Sequence, residues 1–347
     1  MERERMSESE TIYVGIDLGT SRTSITTSTG VRTTVWSYVG YPQDHVALKM
    51  LGGRERIFGE EAVENRMSVD LHRPLAGGVI KDDAPSRKAV HDLLDHVMAE
   101  AKIPSGSTIY GVIGAPAEAS VDSKAAIIEA ASDFMDSIVV CSEPFSVAYG
   151  LDFLGDTLVV DIGAGTVDLC RVHGTMPKAE DQRTHHIAGD SIDGKLAELI
   201  KEKYPEAQFS ENMIRDIKEQ HSSVSKNMDP VKVKLPVKGK PQEFDVTEQV
   251  YGACYSLVPP TVEALQELIA TYDPEFQAKM RNHVLLGGGG SQTRGLARAV
   301  EEALEDYGGG KVRAVEEPQF AGSNGALKIA LDLPEQYWQE FIHNRKK

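Results

Sequence analysis

The sequence predicts an α/β chain of two duplicated domains, and three observations carry that prediction. The first is the stretch VVDIGAGTVDL at residues 159–169: an apolar strand, an aspartate, a glycine-rich turn and a second strand-like run. Gly163 and Gly165 lack side chains there, so backbone N–H groups can approach an anion closely, and Thr166 adds a hydroxyl. The second is a copy of the design, GIDLGTSRTSI at residues 15–25. Asp17-Leu18-Gly19-Thr20-Ser21 aligns with Asp161-Ile162-Gly163-Ala164-Gly165, 144 residues apart. The third is that strands alternate with helices in both halves of the chain. One apolar-Asp-apolar-Gly hairpin is an ordinary turn. Two copies half a chain apart imply duplicated domains with a phosphate held in a central cleft.

The elements follow from pattern. Residues 11–16, 23–27 and 31–39 are β-branched runs that read as a meander. Residues 41–70 are irregular, with Gly52-Gly53, a short strand at 56–58 and a helix at 60–67, and read as a small insertion. Residues 74–80 bring the chain back. Residues 84–101 form a helix with Val90, Leu93, Leu94 and Val97 on one face. Strand 108–114, helix 120–131 and strand 137–141 follow. Ser142-Glu143-Pro144 opens a helix to Tyr149, with proline in the first turn, where a missing N–H costs little. After the second hairpin, 175–186 reads as a loop or hairpin. Helices are expected at 192–204, 211–225 and 258–272, with a hairpin at 231–246. Strand 283–286 runs into Gly287-Gly288-Gly289-Gly290-Ser291. A helix at 294–307, a strand at 312–314 and a helix at 320–331 complete the second half. The tail carries Tyr337, Trp338, Phe341 and Ile342 before a basic end.

Composition bounds the function. The 347 residues carry 53 Asp+Glu against 37 Lys+Arg, a formal charge of −16. That balance excludes nucleic acid as a main partner and suits a cytoplasmic protein. Three dispersed cysteines (Cys141, Cys170, Cys254) make neither a disulfide framework nor a zinc site and imply a reducing compartment; Cys141 and Cys170, in or beside apolar strands, read as buried, inert thiols. No run of 18 apolar residues occurs, so no transmembrane segment is expected, and residues 1–11 read as a mobile charged extension.

IDLGTSRT, SEPFSVAYG, VVDIGAGTVDL, VLLGGGGSQTRG and AGSNGALKIAL stand in order. They resemble the five motifs of the actin/Hsp70/sugar-kinase ATPase superfamily: first phosphate loop, first connecting helix, second phosphate loop, adenosine loop and second connecting helix. RPLAGGVIKD at residues 73–82 and Ser142-Glu143-Pro144 are similar to the bacterial actins of the MreB type. Length and overall pattern most resemble the magnetosome actins of magnetotactic bacteria. The resemblance implies an actin-like ATPase fold: two duplicated domains around a central nucleotide cleft, each divided into a larger and a smaller subdomain. The corresponding division is 12–32, 73–150 and 322–347 for subdomain IA, 33–72 for IB, 151–186 and 261–321 for IIA, and 187–260 for IIB.

The resemblance and the chemistry of ATP/ADP and Mg²⁺ together assign roles. Mg²⁺ wants oxygen ligands, largely water, so Asp17 and Asp161 are expected to hold it mainly through water; a turn-capping aspartate is the alternative for either. Glu143, helped by Asp161, is the candidate for orienting the attacking water. Gly19, Thr20, Ser21, Gly163, Ala164, Gly165 and Thr166 are expected to cradle the phosphates. Arg22 either binds phosphate or points to solvent. Gly287, Gly288, Gly289, Gly290 and Ser291 let the backbone approach the adenosine, with Gly189 and Asp190 opposite. Arg215, Lys218 and Glu219 are similar to an actin helix that contacts the nucleoside.

The implied function is an ATP-hydrolysing protein that polymerises into dynamic cytoplasmic filaments. Its partners are itself and protein adaptors on organelle vesicles, and its place is alongside the magnetosome chain. Two other readings stand beside it: a small-metabolite kinase of the same superfamily, and an FtsA-like membrane-associated tether, for which the aromatic tail is the relevant feature.

Overall fold

The computed structural model describes residues 10–345, with side chains described through residue 340. The charged extension lies outside the described residues as far as residue 9, as do the side chains of Phe341, Ile342 and the basic end. The chain forms two compact units, Met1–Asp152 with Gln319–Lys347, and Phe153–Pro318.

The first unit opens with β1 (Thr11–Leu18), β2 (Arg22–Thr27) and β3 (Arg32–Trp36). β4 (Val39–Pro42), α1 (His45–Met50), β5 (Ile57–Phe58), α2 (Gly59–Glu64) and β6 (Val69–His72) form a small satellite with its own core of Leu51, Ile57, Ala62, Val63 and Val69. The strand expected over 31–39 is therefore two strands. The break follows Ser37, whose N–H makes the last β2–β3 rung to Ser21 O (2.8 Å) while its Oγ donates to Gly19 O (2.7 Å); Tyr38 N then folds back on Trp36 O (2.7 Å) and leaves the ladder. α1 and β6 were not anticipated. Asp44 caps α1, accepting from Val46 N and Ala47 N, and that signal was readable. β7 (Leu75–Ala76) and β8 (Val79–Ile80) make a tight hairpin. Then come α3 (Ala84–Glu100), β9 (Thr108–Ala115), α4 (Val121–Ala131), β10 (Ser137–Ser142) and α5 (Glu143–Gly150).

The second unit runs β11 (Thr157–Ile162), β12 (Val167–Val172), β13 (Gln182–His185), α6 (Gly189–Lys203), α7 (Glu211–His221), β14 (Lys232–Val237), β15 (Lys240–Asp245), α8 (Thr247–Tyr255), α9 (Val258–Ala270), α10 (Pro274–Arg281), β16 (Val284–Gly287), α11 (Leu296–Leu304) and β17 (Val312–Ala314). Helix α7 stops at His221, four residues before the expected end. Residues 222–225 are instead taken by residue 294: Arg294 N donates to Ser222 O and Val224 N to Arg294 O. α8 and α10 were missed, although Asp273-Pro274 is a legible helix start. α12 (Pro318–Asp332) and α13 (Glu335–Arg345) follow.

Each unit holds a five-stranded mixed sheet, ordered β3-β2-β1-β9-β10 in the first and β13-β12-β11-β16-β17 in the second. Strand for strand the directions match. β1 pairs antiparallel with β2 and parallel with β9, as β11 does with β12 and β16. The duplication inferred from two hairpins thus extends over the whole of both sheets. The cores are separate and apolar: Ile12, Val14, Ile16, Leu93 and Ile113 in the first, Leu158, Val160, Leu196, Leu265 and Leu286 in the second.

α12 packs unusually close to the first sheet. A Cβ on Gly325 would lie 1.8 Å from Ser146 O, and one on Gly15 would lie 2.2 Å from Ser323 O. Only glycine at these positions allows helix α12 to touch α5 and β1.

Helix α13 is anchored by Trp338, fully buried, stacked on Tyr110 (centroids 5.0 Å, 10° between planes) and tilted against Tyr13. An amphipathic membrane-facing tail would need that indole exposed. Its Nε1–H is buried with no partner among the described residues. Trp338→Phe is therefore expected to be close to neutral. The smaller ring forfeits packing, but it also removes an unpaired buried donor, each worth roughly 1–2 kcal/mol. Thermal unfolding checks this; a fall in Tm of more than about 5 °C would contradict it.

Candidate functional site

Both hairpins turn by the same device. Gly19 N donates to Arg22 O (3.1 Å) and Gly163 N to Thr166 O (2.9 Å), equivalent bonds in the 144-residue repeat. The two residues inside each turn are Thr20-Ser21 and Ala164-Gly165.

In each unit the two carbonyls at equivalent places are tied down by donors from elsewhere in that unit. In the second, Gly163 O accepts from Gly189 N (3.1 Å) and Ala164 O from Asp190 N (2.7 Å), so the N-terminus of α6 is satisfied by the turn. In the first, Gly19 O accepts from Ser37 Oγ (2.7 Å) and Thr20 O from Arg73 Nε (2.9 Å). A trans peptide is planar, with its N–H opposite its C=O. Turning these carbonyls inward therefore turns the N–H groups of Thr20, Ser21, Ala164 and Gly165 outward. Two successive N–H groups facing outward in each unit have the arrangement of a backbone nest, a geometry suited to an anion. The Thr20 hydroxyl accepts from Gly78 N (2.9 Å) in the β7–β8 hairpin, which fixes the side chain and leaves its O–H as a donor.

The carboxylates sit at the strand ends that lead into these turns. Asp17 is half-buried near the end of β1, and burial pushes its carboxyl up to about 6. Gly322 of α12 leaves room for it: a Cβ there would lie 2.7 Å from Asp17 Oδ2. Glu143 is the first residue of α5, buried, with Gly114 of β9 making space beside its Cγ. Cys141 lies in the same neighbourhood. It is half-exposed rather than buried, and desolvation with the charges of Glu143 and Asp17 pushes its thiol up to about 12, which makes it inert. Arg22 lies with its guanidinium 5.8 Å from the Trp36 ring centroid.

In the second unit Asp161 is buried near the end of β11, and Gly288 is shaped around it. Gly288 has φ +70°, and a Cβ would lie 2.3 Å from Asp161 Oδ1 and 2.4 Å from Ile162 O. Gly287 ends β16, and Gly289-Gly290-Ser291 continue as a 3₁₀ turn closed by Ser291 Oγ on Gly288 O (2.7 Å). The Arg294 bonds to Ser222 and Val224 tie this glycine loop to the end of α7, the helix carrying Arg215, Lys218 and Glu219. The structure thus brings Gly287–Ser291, the 163–166 turn, Gly189 and α7 into one neighbourhood within the second unit.

Lys218 has a structural task there. Its ammonium donates to Gly189 O (2.9 Å) and pairs with Asp193 Oδ1 (2.8 Å), while Arg215 approaches Asp193 at 3.8 Å. Asp193 was not singled out in the sequence. It lies four residues after Gly189 on α6, and only its partners on α7 reveal it. Its carboxyl is pushed up by burial, which outweighs Lys218 and Arg215. Ser37 and Arg73 were likewise not read as site residues.

Two sheets of this order, each opening on an Asp–turn hairpin, define the class: an actin-like fold. The chain belongs to the MreB/Mbl protein family, whose pattern it matches over residues 11–335. It is 42% identical over 342 residues to the actin-like protein MamK of Magnetospirillum gryphiswaldense, covering 96% of this chain and 94% of that one. It is also similar to the subunit of a MamK double helical filament (TM-score 0.91, 40% identity, 94% of this chain and 100% of that one). A non-polymerising MamK mutant bound to AMPPNP matches at TM-score 0.71 with 39% identity, over 93% of this chain and 100% of that one. No helix among the described residues is long and apolar enough to cross a membrane.

Proposed function

We propose that the chain binds ATP with Mg²⁺, polymerises head to tail into filaments and hydrolyses the nucleotide to time their disassembly. One observation carries this reading: nests of outward N–H groups at equivalent places in both units, in a chain 40% identical to a filament subunit. The outward N–H groups serve the phosphates, and the glycine loop with α7 serves the nucleoside. Asp17 and Asp161 are the residues that would hold the water shell of Mg²⁺, a hard ion that takes oxygen ligands and keeps much of its water. The donor set fits, since each strand end presents a carboxylate beside the outward N–H groups. Glu143 orients the attacking water, and Mg²⁺ neutralises charge on the phosphates when bound. A heterologous, non-closing contact between copies makes an open filament. In this reading the filament aligns magnetosome organelles in the cytoplasm and reaches them through protein adaptors.

Sedimentation and negative-stain microscopy with ATP, AMPPNP, ADP and no nucleotide test this. Filaments with ATP that persist longer with AMPPNP are the expected result. Absence of filaments with every nucleotide, together with an ATPase stimulated by a small sugar, would replace it with a kinase.

A further inference from the structure

Ser37 and Arg73 touch the first turn without facing outward from it, and they do the work that the α6 N-terminus does in the second unit. We propose that Ser37 and Arg73 are positioning residues for phosphate binding, holding the Gly19 and Thr20 carbonyls inward so that the Thr20 and Ser21 N–H groups face the ligand. The proposal rests on the nucleotide-binding reading above and adds to it the groups that shape the first turn.

Three observations carry it. First, the turn does not need these bonds to close, because Gly19 N on Arg22 O already closes it. Second, the two units restrain the same pair of carbonyls with unrelated donors: a serine hydroxyl and a guanidinium in one, two backbone N–H groups of a helix in the other. What the two solutions share is the resulting direction of the peptide planes. Third, Ser37 is fully buried and engaged on three sides. Its Oγ meets Gly19 O (2.7 Å) and Thr23 Oγ1 (3.0 Å), and its N–H meets Ser21 O (2.8 Å). The Ser37 N–H bond to Ser21 O is the last rung of the β2–β3 ladder, so the backbone of Ser37 is fixed beside the turn that its hydroxyl holds. Arg73 comes from the segment entering the β7–β8 hairpin, whose Gly78 N–H holds the Thr20 hydroxyl, so the turn is gripped from two directions.

The test compares Ser37→Ala and Arg73→Met with wild type for binding of ATP, ADP and adenosine, beside thermal unfolding without ligand. Removing one such hydrogen bond is expected to weaken ATP about five- to tenfold. ADP should weaken less, and adenosine should change by less than about twofold, because only the phosphates meet the turn. The double variant should lose less than the product of the singles, since both act through one turn. Arg73→Lys, which keeps a donor and the charge, should recover part of the loss. Equal weakening of all three ligands would assign the residues a merely structural role and overturn the proposal. A lowered Tm with unchanged ATP affinity would do the same. A wild-type protein that binds none of the three would overturn the nucleotide reading itself, and is told apart by failing before any substitution is made.

Discussion

Replacing Glu143 by Gln is expected to slow phosphate release by about 100- to 1,000-fold while ATP affinity stays within about threefold of wild type. The expectation rests on where the residue stands. Glu143 is the first residue of α5, so its backbone is fixed by the helix, and its side chain lies in the room that Gly114 leaves beside it. Gln keeps the shape and the hydrogen-bonding reach but cannot accept a proton from water. Either neutral residue loses the favourable charge in the helix first turn, worth about 0.3–1 kcal/mol, but Ala would also empty the space the side chain fills, so Gln is the cleaner variant. Single-turnover measurement separates hydrolysis from release, and microscopy follows the filaments, which should form with ATP and persist. Unchanged phosphate release would remove Glu143 from the chemistry.

The second large effect pairs a gain with a loss. Asp17→Asn is expected to weaken Mg·ATP binding by about 100-fold and yet stabilise the ligand-free protein at pH 7.5. The sign follows from its carboxyl lying above the ordinary 3.8, at about 6. The folded state then holds the proton more tightly than the unfolded chain. The associated stability is present below about pH 4 and lost as pH rises through about 6. The full difference corresponds to about 3 kcal/mol, and the partial exposure of Asp17 reduces it to about 1–2 kcal/mol. Neutral Asn avoids that loss, so Tm without nucleotide should rise by about 2–4 °C. A metal site that stores destabilisation in its empty form would show this crossover. A fall in both Tm and affinity would mean that Asp17 is a structural cap instead.

Both turns and the duplication were legible because they rest on local rules. An apolar run ending in Asp, then Gly, fixes a strand, its end and a turn within a few residues, and repetition at 144 residues supplies the duplication. The helix starts of α1 and α10 were also written locally, as Asp44 and as Asp273-Pro274, and were passed over because the helices are short. What pattern cannot show is the partner of a polar residue. Ser37 lies between Trp36 and Tyr38 in a β-branched run and reads as a strand residue; only the fold brings it to Gly19. Asp193 reads as a solvated helix residue until α7 places Lys218 on it. Trp338 suited either a membrane face or a docked helix by periodicity, and Tyr13 and Tyr110, far away in sequence, decide between them.

The inward carbonyls also make the protein its own spectrometer. In the second turn the Gly163 amide is bonded to Thr166 O, so its hydrogen exchanges slowly whether or not a ligand is present. The Ala164 and Gly165 amides share peptide planes with the buried face of the turn but point the other way. They are outside the turn's own hydrogen bonds and are expected to exchange faster until a bound anion protects them. Two neighbouring amides that slow together on adding nucleotide, beside one that never changes, give an internal ratio that needs no label and no standard. The corresponding set in the first unit is Thr20 and Ser21 against Gly19. Reading both sets during a nucleotide titration would show whether each turn responds and at what nucleotide concentration.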